Sequence, residues 1–167
     1  MTFFRRKQRD EPGDTSPAQM YAELRSQVLR LTPADLGGDA HVAPLLALLM
    51  ETGYPEGVAT LVGVVDGSAS LYFSNGGGVI GAGHHAEVAR ATRRWLESAT
   101  DILERLAAWD DDPRLPGEGL TQFVAVTPDG LRGAVAPEEE LGEERHELSP
   151  LFHAGHDVIT QIRLKTD

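Results

Sequence analysis

Cysteine is absent from the 167 residues of the chain. Without thiols the protein forms no disulfide scaffold, has no thiolate nucleophile and cannot bind zinc through cysteine. Basic residues are also scarce, because 15 Lys and Arg stand against 26 Asp and Glu and give a net charge of −11. Since nucleic-acid binding needs clustered positive charge to neutralise phosphates, we expect no nucleic-acid partner.

Long apolar runs are missing as well. No stretch approaches the roughly 20 residues that a transmembrane helix requires. The basic opening MTFFRRKQRD is not followed by the apolar stretch of a signal peptide. We therefore expect a cytoplasmic protein with no transmembrane segment. Hydrophobic residues still make up 41% of the chain, which is enough to build a core.

The first 15 residues, MTFFRRKQRDEPGDT, are polar and mixed in charge, and Pro12 and Gly13 interrupt them. We predict a flexible tail over 1–15 and a single α+β domain over 16–167. The first nine residues carry four basic side chains, which leaves 11 basic against 26 acidic residues in the remainder. We interpret the tail as a solubilising segment, with weak contact to an anionic lipid surface as the alternative.

The segment after this tail has the pattern of helices. Ser16, Pro17 and Gln19 supply a hydroxyl cap, a favourable first helical residue and the partner of a capping box. Apolar residues then recur at helical spacing. The run 42–52 (VAPLLALLMET) is apolar almost all round, which predicts a covered helix that ends at Gly53.

Two β-hairpins are predicted where the helical spacing of apolar residues gives way to the continuous or alternating pattern of strands. Residues 57–65 form a continuous apolar run rich in Val, residues 68–74 alternate, and the turn signal Asp-Gly lies between them. Residues 120–127 and 131–136 flank a Pro-Asp-Gly turn in the same way. Both hairpins are expected to be antiparallel.

A long central helix is predicted between the hairpins. Apolar residues recur at three and four positions from His84 to about Asp110, and Ser149 with Pro150 begins a final helix. The elements predict an α+β fold with a single antiparallel sheet of four to five strands. The long central helix and the C-terminal helix are expected to pack on one face of this sheet, and extra N-terminal helices precede it.

The glycine loop, residues 75–83, allows a structural and a functional interpretation. It contains the spacing Gly-x-Gly-x-x-Gly, but a hairpin strand precedes it and no βαβ unit surrounds it, which argues against dinucleotide binding. The glycines can serve backbone geometry, with Val79 and Ile80 forming a short inward strand. Alternatively, their N–H groups can bind a small anion. The candidate ligand-binding residues are Asn75, Gly76, Gly77, Gly78, Gly81 and Gly83.

No catalytic or metal-binding motif is recognisable. The chain has no Gly-x-Ser-x-Gly elbow, its histidines match no zinc-site spacing, and no EF-hand spacing for calcium is present. We therefore expect no enzyme activity and no cofactor, and we interpret the histidines as solvent-exposed side chains. The alternative is a metal-dependent hydrolase, for which the candidate ligands are His84, His85, His153, His156 and Asp157.

The order of elements resembles the Roadblock/dynein light chain superfamily and the related longin and profilin-like folds. Four segments carry the resemblance, which spans about residues 42–163: VATLVGVVDGSASLYFS, GGGVIGAG, LTQFVAVTPDGLRGAV and LSPLFHAGHDVITQIRL. It implies a non-catalytic protein that dimerises through sheet extension and helix packing. It also implies, in bacteria, a role beside small GTPases.

These observations favour a non-enzymatic interaction or scaffold module, homodimeric, that acts as a regulator with a small GTPase. Trp95 and Trp109, placed on one stripe of the long helix, are the candidate interface residues. Two alternatives stay open. One is a small-ligand or anion sensor that uses the glycine loop, and the other is the metal-dependent hydrolase.

Overall fold

The computed structural model describes residues 16–37, 43–79 and 81–166. The predicted flexible tail, 1–15, lies outside the described residues, and so does Ile80. Four α-helices are described: α1 (Pro17–Leu29), α2 (Ala86–Asp101), α3 (Glu138–Gly142) and α4 (Ser149–Thr166). Seven strands are described: β1 (Ala47–Tyr54), β2 (Gly57–Val64), β3 (Ala69–Phe73), β4 (Gly78–Val79), β5 (Ala107–Trp109), β6 (Leu120–Thr127) and β7 (Gly130–Pro137).

All seven strands belong to one sheet, in the order β4-β3-β2-β1-β6-β7-β5, and every pair is antiparallel. The predicted α+β class with a single antiparallel sheet is therefore right, but the predicted four to five strands are wrong. The strands that the sequence did not indicate are β1 and β5, and the short strand suggested at Val79 and Ile80 is described as β4 over Gly78–Val79. Strands β4 and β5 are only two and three residues long, too short for a hydrophobic period to show.

The run 42–52, predicted as a helix, contains the first six of the eight residues of the central strand β1. This strand pairs with β2 on one side and β6 on the other, so both of its edges and both of its faces are covered. A continuous apolar run suits a buried helix and a buried strand equally well. Gly53 does not end a helix but lies inside β1, where a Cβ atom would come within 2.1 Å of the Gly117 carbonyl oxygen.

The predicted long helix from 84 to 110 is also corrected. Helix α2 has 16 residues and ends at Asp101. A 3-10 turn over Leu103–Arg105 follows, and the chain then enters the edge strand β5. Trp109 therefore pairs with Leu131 in the sheet rather than extending the helical stripe of Trp95.

Helices cover both faces of the sheet. Side chains alternate along β1, so that Leu49 and Glu51 face α1, whereas Leu48 and Met50 face α2 and α4. The larger core lies between the sheet and the α2–α4 pair, and a second core lies under α1. Within the described residues, no helix has the length and apolar character needed to cross a membrane.

Candidate functional site

A row of polar side chains crosses the middle of the sheet under α1. Thr60 of β2, Glu51 of β1 and Gln122 of β6 are direct cross-strand neighbours. All three are buried, and Glu51 has 0% exposure. An ionised carboxylate at such a position requires a partner, because its desolvation is otherwise very unfavourable.

Arg25 of α1 provides that partner. Its Nε and Nη2 atoms donate to the two carboxylate oxygens of Glu51 at 2.6 and 2.9 Å. Thr60 Oγ1 donates to one of these oxygens at 3.1 Å, and Gln122 Nε2 donates to the other at 3.0 Å. Every Glu51 oxygen is thus bonded twice, which leaves this carboxylate no lone pair aimed at a substrate.

The same burial acts on the tyrosines beside this cluster. Burial, followed by the negative charge of Glu51, raises the pKa of Tyr21 to about 12, although Thr60 and Arg25 oppose the shift. Burial likewise raises the pKa of Tyr72, whose hydroxyl has no hydrogen-bond partner among the described residues. For Arg25, burial disfavours the charged form, but the hydrogen bonds and charge of Glu51 prevail and raise its pKa.

The loop between β5 and β6 closes the cluster from one side. Arg25 Nη2 donates to the carbonyl of Pro113 at 2.9 Å, and Gln122 Nε2 donates to the carbonyl of Arg114 at 2.8 Å. These bonds hold the loop 110–119 by its main chain, and its side chains, apart from Asp112, which pairs with Arg30, can form a surface. The cluster is therefore a structural link between helix, sheet and loop.

Beyond this loop lies an open groove of about 540 Å³, which we call the Trp109 groove. Its floor and walls include Trp109, Leu115, Leu120, Gln122 and Val135, and its rim carries Asp110, Asp111 and Arg114. Leu115 and Val135 are unusually exposed for apolar side chains, at 42% and 47%. Exposed apolar residues gathered in one concave place are typical of binding surfaces.

The indole ring of Trp109 packs directly over Gly133 of the neighbouring strand β7, which has no side chain. A Cβ atom at Gly133 of β7 would lie 2.3 Å from the indole ring, so the ring occupies the space that a larger residue would fill. Trp109 is half-buried and packs beside Leu131 on the α1 face of the sheet. It therefore presents a fixed aromatic surface to the groove.

The floor of the groove ends in an open strand edge at Val135. The N–H of Leu46 donates to the carbonyl of Val126 at 2.8 Å, so Val126 turns its main-chain groups away from β7. Its cross-strand partner in β7 is Leu131, which therefore points its own N–H and C=O groups away from β6. Main-chain direction alternates along a strand, so the same is true of Gly133 and Val135. Strand β5 pairs with Leu131 and Gly133, and on this side of β7, away from β6, no described strand pairs with Val135.

The glycine loop is explained by backbone geometry. Gly78 pairs with Tyr72 in β4, has φ +140°, and would place a Cβ atom 2.4 Å from the Leu71 carbonyl oxygen. A Cβ atom at Gly83 would lie 2.3 Å from the Gly67 carbonyl oxygen. Positive φ is also found at Gly76, Gly77 and Gly81. Positive φ and close backbone contacts account for these glycines without a ligand. Ligand binding by Asn75 and the glycines stays a prediction.

The candidate metal ligands fall into two separated groups. Lys165 near the end of α4 binds Glu87 in the first turn of α2 at 3.3 Å, so the two helices run antiparallel. His84 and His85 precede α2, whereas His153 and His156 lie about 18 and 14 Å from Lys165 along α4 by helix rise. Asp157 follows the second pair. No group of three or more metal-ligating side chains occurs among the residues that the structure describes.

The two candidate interface residues have different positions. Trp95 is 0% exposed and packs between α2 and α4, beside Met50 and Gly155. It has no surface left to offer a partner, and only Trp109 remains available for the predicted interface. Arg25, Glu51 and Gln122 were not among the site residues predicted from the sequence. A lone carboxylate next to an apolar run, as at Glu51, is the signal that could have revealed the cluster.

The arrangement as a whole offers a surface that can bind a partner. Its buried carboxylate is saturated, and its groove combines an aromatic wall, an apolar floor and an open strand edge. Comparisons of the chain with protein-family models, with curated proteins and with solved structures found no match.

Proposed function

We propose that this protein is a non-enzymatic interaction module that binds an extended segment of a partner protein in the Trp109 groove. The observation that carries the proposal is the unpaired edge of β7 at Val135 beside the exposed apolar wall. An extended segment would add to this edge through its main chain and place alternate side chains against Trp109 and Leu115.

The charges at the rim of the groove indicate which partner segments can bind. Asp110 and Asp111 are exposed at the rim, Asp112 binds Arg30 at 3.1 Å, and Arg114 contributes one opposing charge. The chain after its first nine residues carries 11 basic against 26 acidic residues. A segment that combines apolar and basic side chains therefore suits the groove, and acidic segments are disfavoured.

A peptide selection tests this proposal directly. Random twelve-residue peptides displayed on phage are selected on the immobilised full chain, and enriched sequences are synthesised with a fluorescent label. We expect enrichment of alternating apolar and basic residues. Trp109→Ala and Val135→Lys should each weaken binding at least about tenfold, as expected for residues at the centre of an interface.

A matched control uses an exposed apolar residue elsewhere. Leu164, 67% exposed on α4, is replaced by Lys, and this variant should bind as the unaltered chain does. Val135→Lys keeps the test valid if Trp109→Ala destabilises the fold. The proposal is wrong if no sequence is enriched, or if enriched peptides bind both groove variants with unchanged affinity.

Homodimerisation and action beside a small GTPase stay predictions from the resemblance. The exposed edge at Val135 is compatible with sheet extension between two copies, which light scattering at micromolar concentration tests. The sensor and hydrolase alternatives have less support, because the glycine loop has a structural explanation and the candidate metal ligands are divided between two ends of the helix pair.

A further inference from the structure

We infer that residues 3–9 of the same chain occupy the Trp109 groove and must leave it before a partner segment binds. This inference rests on the proposed function in one respect, that the groove binds extended peptides. It names the regulation of that site, in which the chain supplies its own competitor.

The composition of the first residues matches the groove. Phe3 and Phe4 offer aromatic side chains for the wall formed by Trp109 and Leu115. Four basic residues follow within five positions, at Arg5, Arg6, Lys7 and Arg9, and no other stretch of the sequence is as densely basic. Apolar and basic side chains are the combination that the groove and its acidic rim favour.

Charge also favours the approach of this segment. The first nine residues have a charge of +4, and the remainder of the chain has 11 basic against 26 acidic residues, a net charge of −15. Opposite charges on two parts of one chain attract each other over about 8–10 Å at physiological salt. The attraction is expected to weaken as salt is added.

The attachment point lies close enough to the groove. Helix α1 begins at Pro17, and Ala18 in its first turn lines a cavity of about 300 Å³ together with Leu115. Leu115 also lines the Trp109 groove, so the two spaces meet at this side chain. Residues 10–15, which connect the basic segment to α1, can span roughly 20 Å when extended.

Covalent attachment makes self-binding effective. A short connection to α1 gives the attached segment an effective concentration in the millimolar range, so even weak contacts fill the groove. A partner segment then binds only when its affinity exceeds this competition. A second copy of the chain could supply the same residues in trans, which the experiment below distinguishes.

The lack of cysteine allows a single label to be placed on the segment. Thr2→Cys in the full chain provides a unique thiol for bimane, a fluorophore that tryptophan quenches on contact. We expect quenching that is relieved at least about twofold by Trp109→Phe, by high salt and by Asp110→Asn combined with Asp111→Asn. Trp95 is 0% exposed, so it cannot contact the label.

The controls separate this inference from the proposed function. Quenching that does not change with protein concentration supports binding within one chain, and quenching that grows with concentration overturns it in favour of a second copy. Phe3→Ser with Phe4→Ser should strengthen binding of a selected peptide at least about threefold.

If Trp109→Phe does not alter the fluorescence while selected peptides still bind, the inference fails and the proposed function stands. If quenching depends on Trp109 but no peptide is selected even on the full chain that carries Phe3→Ser and Phe4→Ser, the proposed function fails and self-binding stands.

Discussion

Arg25 of α1 and Glu51 of β1 form a bidentate ion pair at the centre of the sheet, with N···O distances of 2.6 and 2.9 Å. The pair fixes α1, the only described α-helix on this face of the sheet, to its central strand. Because Arg25 also donates to the Pro113 carbonyl, the same guanidinium holds the wall of the Trp109 groove. Loss of the pair should therefore affect both stability and the groove.

Arg25→Met should lower the free energy of unfolding by about 3–5 kcal/mol, because the buried carboxylate of Glu51 loses its partner. Urea unfolding at neutral pH measures the change. Arg30→Met is the matched control, since Arg30 pairs with Asp112 on the exposed surface. That variant should change stability by less than about 1 kcal/mol.

Removal of both charges should cost less than removal of one. Arg25→Met combined with Glu51→Leu leaves no unpaired buried charge, so the double variant should be more stable than Arg25→Met alone. The buried-charge explanation is contradicted if the double variant is the less stable of the two.

Gly78→Ala should lower the free energy of unfolding by about 1–3 kcal/mol, because alanine is strained at φ +140° and its Cβ would meet the Leu71 carbonyl. Thermal and urea unfolding measure the loss. Gly117→Ala is the control, since no atom lies within 4 Å of a Cβ atom built there. It should stay within about 0.5 kcal/mol of the unaltered chain. A stable Gly78→Ala variant that had lost an anion ligand would instead support the sensor hypothesis.

His156 should make the fold less stable as the pH falls. Burial against Phe152 lowers the pKa of His156, and the opposing charge of Glu138 does not cancel the effect. The unfolded chain therefore binds a proton more readily near and below pH 6.5, so the unfolding free energy decreases as the pH drops through this range.

Melting temperatures between pH 7.5 and pH 5.5 test the role of this histidine. The decline should be smaller for His156→Leu than for the unaltered chain. His153→Leu, at an exposed position on the same helix, should keep the decline. Equal declines in the unaltered chain and in His156→Leu would show that other groups are responsible.

The tyrosines should resist ionisation until the protein unfolds in alkali. Burial raises the pKa of Tyr21 to about 12 and also raises the pKa values of Tyr54 and Tyr72. Since an unfolded tyrosine ionises near pH 10, the contribution of Tyr21 to stability is present below pH 10 and is lost as the pH rises towards 12. Phenolate absorbance should then increase together with the loss of circular dichroism, rather than before it.

The features that the sequence predicted correctly depend on neighbours along the chain. The capping box at Ser16 is present, with Gln19 bonded to it in both directions at 3.0 and 3.1 Å. The hairpins over 57–74 and 120–136 are formed, and α4 begins at Ser149. Each signal is a cap, a turn or an alternation that lies within a few residues, so the local chain carries all the information needed.

Tertiary structure alone decided the central strand, the edge strand and the site. The run that became β1 is apolar enough for a helix, and only its pairing with β2 and β6 satisfies its main chain as a strand. Arg25 and Glu51 are 26 positions apart, and Trp109 meets Gly133 only because β5 joins the far side of β7. Such contacts depend on which surfaces pack together when the helices dock on the sheet. Only then is Glu51 removed from water and the edge of β7 at Val135 left without a neighbouring strand, and neighbours along the chain specify neither.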